Sequence, residues 1–600
     1  MTSRTLAPWV ALVALAFAPA CYIDLTDGSG GGEPPPGPTR PPEPADRPEP
    51  VLAEDPPPPP TGGTLAIAAD GTLALASDAD RDVVWVLDVS PGELAEARAP
   101  IAELALGADA LPGQLVELEP GRWLVVLRGE GALAEVLADP WRVGARHPIC
   151  DAPWGLARDA MGVAWVACEE GQLVGLDEAL EEIARFRLPA DLRDVVPVGD
   201  VLFVSRLREA SVLAVNRSGT VRSTMRPEAV AERRPNVAWR MVPDPARGGV
   251  LLTHQLSVAA EVPTTRTGYG APSGDSVGAI SQPALTHLAA DGRVRTRPFQ
   301  VGQAVLPLDL AASPDGRVAV VATGSRGFVK ARVYDAPFAR ETIGLGEVTP
   351  VSFSDGRQAL SVAFDAEGEA IVQTRAPWAV VTRFGPLTEL PGVDRFDTGQ
   401  ALFHVDGGRG VACASCHPDG REDGHIWDFD LPGPRRTQTL RGGLRGSAPF
   451  HRDGAMRDFH ELNRRTLGEL MGAPTPFPDE SEAMLRWLDT LPAVAPALQD
   501  DDAEAVARGR AVFEGAAGCA DCHQGARLED GERHHVGTDG PMDTPTLVGI
   551  SRRLPWMADG CATSVDTFFA DAVCRGERHG DFAGLRVEEE RDLAAYLRSL

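Results

Sequence analysis

Positive charge is in short supply. Lys and Arg together number 57 against 86 Asp and Glu, a formal net charge of −29. Such a surface disfavours nucleic acid and anionic lipid headgroups and steers basic partners toward it. Long apolar runs are also missing. The run from Leu6 to Phe17 is too short to span a bilayer, and no other run is long and apolar enough for a transmembrane helix. The middle of the chain lacks the Gly-His and Trp-Asp phrases of WD40 blades. It also holds only three histidines, His147, His254 and His287, none in a ligand pattern.

What is present divides the chain into five parts. Residues 1–20 read as an export signal: Arg4, an apolar stretch, then Ala18-Pro19-Ala20 as a small-residue cleavage zone. The next residue, Cys21, makes this resemble a bacterial lipoprotein signal, with lipid attached at that cysteine; an ordinary secretory peptide is the alternative. Either way the expected location is outside the cytoplasm, in the periplasm or at the outer membrane, with membrane contact through the lipid only. Residues 21–61 are expected to form a tether, because Gly28–Gly32 and Pro56–Pro60 favour extended chain and cannot bury a core.

Residues 62–392 predict an all-β domain. Apolar or alternating runs begin near positions 65, 124, 163, 201, 250, 318 and 369, each closed by a turn such as Ser313-Pro314-Asp315-Gly316. Seven runs over 331 residues give about 47 per unit, the period of a four-stranded propeller blade. The turns resemble those of YVTN-type propellers of exported bacterial proteins. The stretch from Val262 to Gln282 reads as an insertion, and the domain as a docking or binding platform.

The chemistry sits further on. Cys413-Ala414-Ser415-Cys416-His417 returns as Cys519-Ala520-Asp521-Cys522-His523. C-x-x-C-H is the attachment signature of c-type haem: two thiols for the vinyl groups and a histidine for the iron. A redox thiol pair or half a zinc site is the alternative for either copy alone. Thirty-four residues after each histidine stands a second donor, His451 and Met557, in the related phrases Pro449-Phe450-His451-Arg452-Asp453-Gly454 and Pro555-Trp556-Met557-Ala558-Asp559-Gly560. Before them come Thr437-Gln438-Thr439-Leu440 and Thr544-Pro545-Thr546-Leu547. Two covalently bound haems, ligated by His417/His451 and His523/Met557, are the expected cofactors.

With Cys21 and these four assigned, four of the nine cysteines remain. Cys150 with Cys168, and Cys561 with Cys574, are local pairs that an oxidising compartment would bridge; buried free thiols are the alternative. The second bridge would stiffen the loop that presents Met557.

Each C-x-x-C-H unit opens on a helix with a glycine, Gly399 or Gly509, and closes on one with an aromatic, Trp487 or Tyr596. The pattern predicts two all-α domains, 393–492 and 493–600, each like a class I cytochrome c. The expected fold is therefore a propeller of about seven blades followed by an all-α tandem. On the two motifs, the Thr-x-Thr-Leu phrases and the Asp-Gly phrases, the C-terminal third resembles the bacterial di-haem cytochrome c peroxidase and MauG-like family. The resemblance implies that the second haem takes in electrons and that the first, at His417, meets hydrogen peroxide.

Two features depart from that family. The acid–base residues that work on peroxide have no clear counterpart, Glu469 being the best candidate. His451, if permanently bound, would close the first iron. The expected function is electron transfer with a redox protein, a basic cytochrome fitting the surface charge. The alternatives are a peroxidase acting on hydrogen peroxide and, more remotely, a propeller dehydrogenase that feeds the haems.

Overall fold

The structure is a computed structural model and describes residues 47–600 apart from 91–96, 266–267, 271–277, 292–296, 303, 326–328, 335–347, 353–357, 383–384, 432, 499, 538–539 and 577. Cys21, the export signal and most of the expected tether lie outside the described residues.

Seven four-stranded antiparallel sheets follow one another along the chain, over 65–105, 112–148, 153–187, 192–225, 233–300, 309–352 and 358–389. They are the blades of a seven-bladed propeller. In each blade the second strand is an apolar run buried along most of its length, such as Arg122–Leu127, Ala164–Cys168 and Val201–Arg206. The outer strand is polar and exposed, as in Glu182–Arg187 and Val221–Met225. Packing of twisted sheets side by side leaves apolar cores between blades, and there are seven such clusters, one for each pair of neighbours. Every blade is built from consecutive strands, so the ring closes by contacts between the first and last blades, including a backbone bridge from Arg98 to Thr388, rather than by a shared strand. Trp85 of the first blade packs with Ile371, Trp378 and Val380 of the last. Thr64 Oγ1 donates to Gln373 Oε1 at 2.7 Å, and Arg375 pairs with Asp80 at 2.5 Å.

The C-terminal third corrects the expected fold. It is not a tandem of all-α cytochrome c domains. Its longest helices have only 12 or 13 residues: Pro478–Asp489, Ala503–Glu514 and Val587–Ser599. Two small hairpins interrupt it, Ile426–Phe429 with Gly433–Arg436 and Arg533–His534 with Met542–Asp543. Between Gly407 and Gly454 the chain turns repeatedly through glycines with positive φ, including Gly442, Gly443 and Gly446, which no helix tolerates in series.

One part of the helical expectation does hold locally. A Cβ on Gly399 would meet Ala483 O at 2.2 Å, and one on Gly509 would meet Asp592 O at 1.8 Å. In both units the opening and closing helices therefore cross at a glycine, with Phe403 against Trp487 and Phe513 against Tyr596.

The first unit shares its core with the propeller. Leu207, Trp239, Val262, Ile280 and Leu308 pack in one cluster with Phe403, Ala414, Trp427, Phe459 and Trp487. The second unit has a core of its own around Phe513, Trp556, Phe568 and Leu593. Part of the expected tether also packs here. Val51 exchanges hydrogen bonds with Thr398, Arg486 donates to Ala53 O, and Trp487 Nε1 donates to Pro57 O at 2.9 Å. Arg375 reaches Pro58 O at 3.4 Å, so residues 51–58 strap the first unit to the last blade.

Candidate functional site

Two cavities lie in the C-terminal third, one per C-x-x-C-H motif. The first, about 250 Å³, is lined by Cys413, Cys416, His417 and His451. The second, about 420 Å³, is lined by Cys519, Cys522, His523 and Met557. The 34-residue spacing thus places each second donor in the cavity of its own motif.

The local geometry is duplicated. His451 has φ +73° and Met557 φ +68°, a left-handed conformation that non-glycine residues rarely adopt. Each sits in a tight turn closed by a backbone bridge, Phe450 to Met456 and Trp556 to Ala562. Such a conformation persists only where the surroundings over-determine it, and here it aims a donor side chain at a cavity.

The donors are in the chemical state a metal centre needs. His523 Nδ1 lies 2.9 Å from Leu528 O, so Nδ1 carries the proton and Nε2 keeps its lone pair. His451 Nδ1 lies 2.9 Å from Asp453 Oδ1, a contact that orients the ring. Burial pushes His417 down to about 4, leaving a neutral ring. Cys413, Cys416, Cys519 and Cys522 are free thiols. Burial pushes Cys413 up to about 12 and Cys519 up to about 11, and raises Cys416 and Cys522 as well. The other four described cysteines are joined as Cys150–Cys168 and Cys561–Cys574.

The propeller holds the first motif. Gln255 Nε2, in the fifth blade, donates to Ser415 O inside the motif at 2.7 Å, and its Oε1 accepts from Trp239 Nε1. Arg193 pairs with Asp419 at 2.8 Å and stacks on Trp154. Glu169 takes Arg421 and Arg552. The insertion after Val258 adds a wall: Val262 N donates to Asp428 O at 2.6 Å, and Tyr269 stacks on Phe429 and lines the first cavity. The propeller's own histidines are structural. His254 is buried between Thr286 Oγ1 and Gln255 O, His287 bonds Gly248 O, and His147 faces Glu135.

Several residues at the site carry no signal in the motifs. His579 lines the second cavity 6.3 Å from the His523 ring, and burial pushes it down to about 4. Arg436, Arg452 and Arg553 line both cavities. Arg435-Arg436 directly precedes one Thr-x-Thr-Leu phrase and Arg552-Arg553 follows the other, which is the one hint the sequence holds. Glu469 is not in the first cavity. It pairs with Arg464 and with Arg465 at 3.6 Å on the surface of a π-helical turn, Arg464–Leu470. That turn sends Thr466 and Leu467 inward instead.

No family model matches the chain. It is similar to hydrazine synthase subunit gamma of Kuenenia stuttgartiensis, 26% identical over 309 residues, covering 38% of this chain and 87% of that protein. Among solved structures, a hydrazine synthase of Kuenenia stuttgartiensis aligns with 55% of this chain and 97% of its own, at 15% identity and TM-score 0.42. A streptogramin B lyase aligns with 54% and 93%, at 13% identity and TM-score 0.38.

Proposed function

We propose that the chain is an exported electron-transfer protein carrying two covalent c-type haems, with the propeller as the rigid mount of the first. One observation carries this reading: each cavity joins a free thiol pair and a neutral histidine to a second donor presented on the same left-handed turn. Cys413/Cys416 and Cys519/Cys522 would hold the porphyrins, each thiol adding across a vinyl group so that sulfur bonds to one carbon and the proton goes to the other. His417 with His451 and His523 with Met557 would complete the iron coordination. When bound, the groups supply reversible one-electron chemistry, and a methionine ligand favours the higher potential.

Electrons are taken to enter at the second site. Asp521, Asp530 and Glu532 lie around Cys522. That rim, on a chain of net charge −29, fits a basic redox protein. The curated relative is named as a subunit, so a place in a larger assembly is compatible with this reading. A lipid at Cys21 would keep the whole at a membrane surface.

The peroxidase alternative has less support, because Glu469 is committed to Arg464 and Arg465 outside the cavity. The dehydrogenase alternative fares no better. The propeller's central arginines, Arg193 and Arg240, are engaged by Asp419, Asp194 and Asp309.

The test is the intact mass of protein made in a haem-loading host. Two haem masses per chain that survive denaturation are expected. Four alkylatable cysteines and no haem mass would sink the reading. Adding hydrogen peroxide to the half-reduced protein separates carrier from peroxidase: persistent Soret and α bands fit capped irons, and rapid stoichiometric reoxidation would overturn the preference.

A further inference from the structure

The two cavities share a wall. Arg436, Arg452, Arg553, Asp543 and the phrase Thr544-Pro545-Thr546 line both. Cations on this wall exceed the carboxylates that answer them. Glu422 serves Arg436 at 2.6 Å and Arg553 at 2.8 Å, with Arg208 at 3.8 Å. Burial alone would raise its carboxyl, yet these guanidinium groups hold it down to about 2, so its charge is fully engaged.

Arg452 has no such partner. It is 9% exposed; its Nη2 donates to Arg436 O at 2.9 Å, and its buried Nε has no hydrogen-bond partner. Among the described residues no carboxylate lies within ion-pair distance of it. Asp543 is bound to it only through the backbone, Asp543 N donating to Arg452 O at 3.1 Å, and burial pushes that carboxyl up to about 7. A buried guanidinium left without an anion is costly, and its planar fork is suited to a carboxylate. The missing anion has to come from inside the cavities. Since Phe450, Leu467, Trp556 and Leu593 make those cavities largely apolar, the ligand must be mostly apolar with acid arms.

We propose that Arg452 anchors the carboxylate arms of the tetrapyrroles in both cavities, so that a single guanidinium sets the electron affinity of the two centres together. This rests on the haem reading above and deepens it.

The experiment uses the haem-loaded full chain with Arg452→Gln, Arg452→Lys and, as a surface control, Arg445→Gln. Arg445 is exposed and pairs with Glu482 and Asp489. Haem content and both midpoint potentials are measured by spectroelectrochemistry. Removing the positive charge favours the oxidised form, so Arg452→Gln should lower electron affinity about tenfold at each centre, or about 59 mV for a one-electron step. Arg452→Lys should keep most of the affinity, and Arg445→Gln should move neither centre.

A shift at one centre only, at neither, equal shifts for Gln and Lys, or an equal shift in the surface control would each overturn the proposal. Should Arg452→Gln fail to hold haem, full loading of Arg452→Lys at near-parental potentials supports the anchor, and loss of haem in both overturns it. Exchanging chloride for gluconate at constant ionic strength tests the rival anion: parental potentials that move, and stop moving in Arg452→Gln, would assign Arg452 to chloride. A parent without covalent haem defeats the earlier reading, whereas a loaded parent with unmoved variants defeats this one alone.

Discussion

The two C-x-x-C-H units share a local plan but are supported differently. The first is embedded. Its core is continuous with the propeller, and its motif is pinned by Gln255. The second stands on its own core, with Cys522 half-buried among acidic residues. Beside a buried propeller contact, Arg552 with Glu169, it has a covalent brace, Cys561–Cys574, beginning four residues after Met557. The equivalent position in the first unit is Ala455.

The link between the two units is the point at which to break this arrangement. Glu422 ties Arg208 of the propeller, Arg436 of the first unit and Arg553 of the second. Replacing it by Gln leaves buried guanidinium groups without their anion and should cost about 3–5 kcal/mol in urea unfolding. The same group predicts an acid limit. Its folded pKa of about 2 lies below the ordinary 4.5. The stabilisation, roughly 3 kcal/mol, is therefore fully present above pH 4.5 and is lost as pH falls toward 2. In Glu422→Gln that part of the acid dependence should vanish; an unchanged acid profile would show that the carboxylate does not join the units.

The next comparison sets Trp487 against Tyr596, counterparts on the two closing helices. Trp487 is fully buried, touches Phe403 and His404, and donates to Pro57 O. Trp487→Ala should cost about 3–5 kcal/mol and loosen the residue 51–58 strap as well. Tyr596 is half-buried, and Tyr596→Ala should cost about 1 kcal/mol, confined to the second unit. Equal losses in denaturant titrations would remove the contrast between shared and separate cores.

These differences also explain what could be read from the sequence. The runs that located the propeller are, from position 124 onward, the second strands of their blades, which are apolar along nearly their whole length because both faces are covered. Outer strands such as Val221–Met225 face water and carry no apolar signature, so blade edges were illegible. The shared placement of His451 and Met557, each in the cavity of its own motif, was legible because a duplicated phrase fixes spacing without any knowledge of the fold. The all-α expectation failed because long helices form only at the first and last segments of each unit, the inner ones being short. The chain between them is governed by positive-φ glycines and by side-chain contacts to the propeller. The arginine wall was illegible for another reason: Arg553 comes from the other unit, about a hundred positions after Arg452, and arginine usually signals surface. Tyr269 could not be read either, since its cavity is built mostly by residues more than a hundred positions away.

The brace in the second unit gives a smaller, local effect. Cys561→Ser with Cys574→Ser opens a bridge spanning 13 residues. A loop of that length is worth about 3 kcal/mol in a chain-entropy account, and less where the surrounding core persists. Hydrogen exchange should rise through 555–576 while 449–456 stays protected. Equal loss of protection in both turns would mean that the units are not separately supported.

Glu469 marks the low end of the scale and bears on the chemistry most directly. Its carboxylate is about one-third exposed and shared by Arg464 and Arg465. Exposed pairs of this kind contribute about 0–1 kcal/mol, because long side chains lose rotamer freedom and solvent screens the attraction. Glu469→Gln should therefore leave thermal unfolding within a degree or two and should leave any peroxide reactivity of the half-reduced protein unchanged. A general acid would behave differently, since replacing it by the amide removes the proton donor while keeping the shape. A fall of a hundredfold or more in peroxide turnover would place Glu469 in the reaction after all. It would also require the π-helical turn Arg464–Leu470 to unwind and carry the carboxylate into the cavity, which protection of Leu467 and Leu470 against hydrogen exchange would rule out.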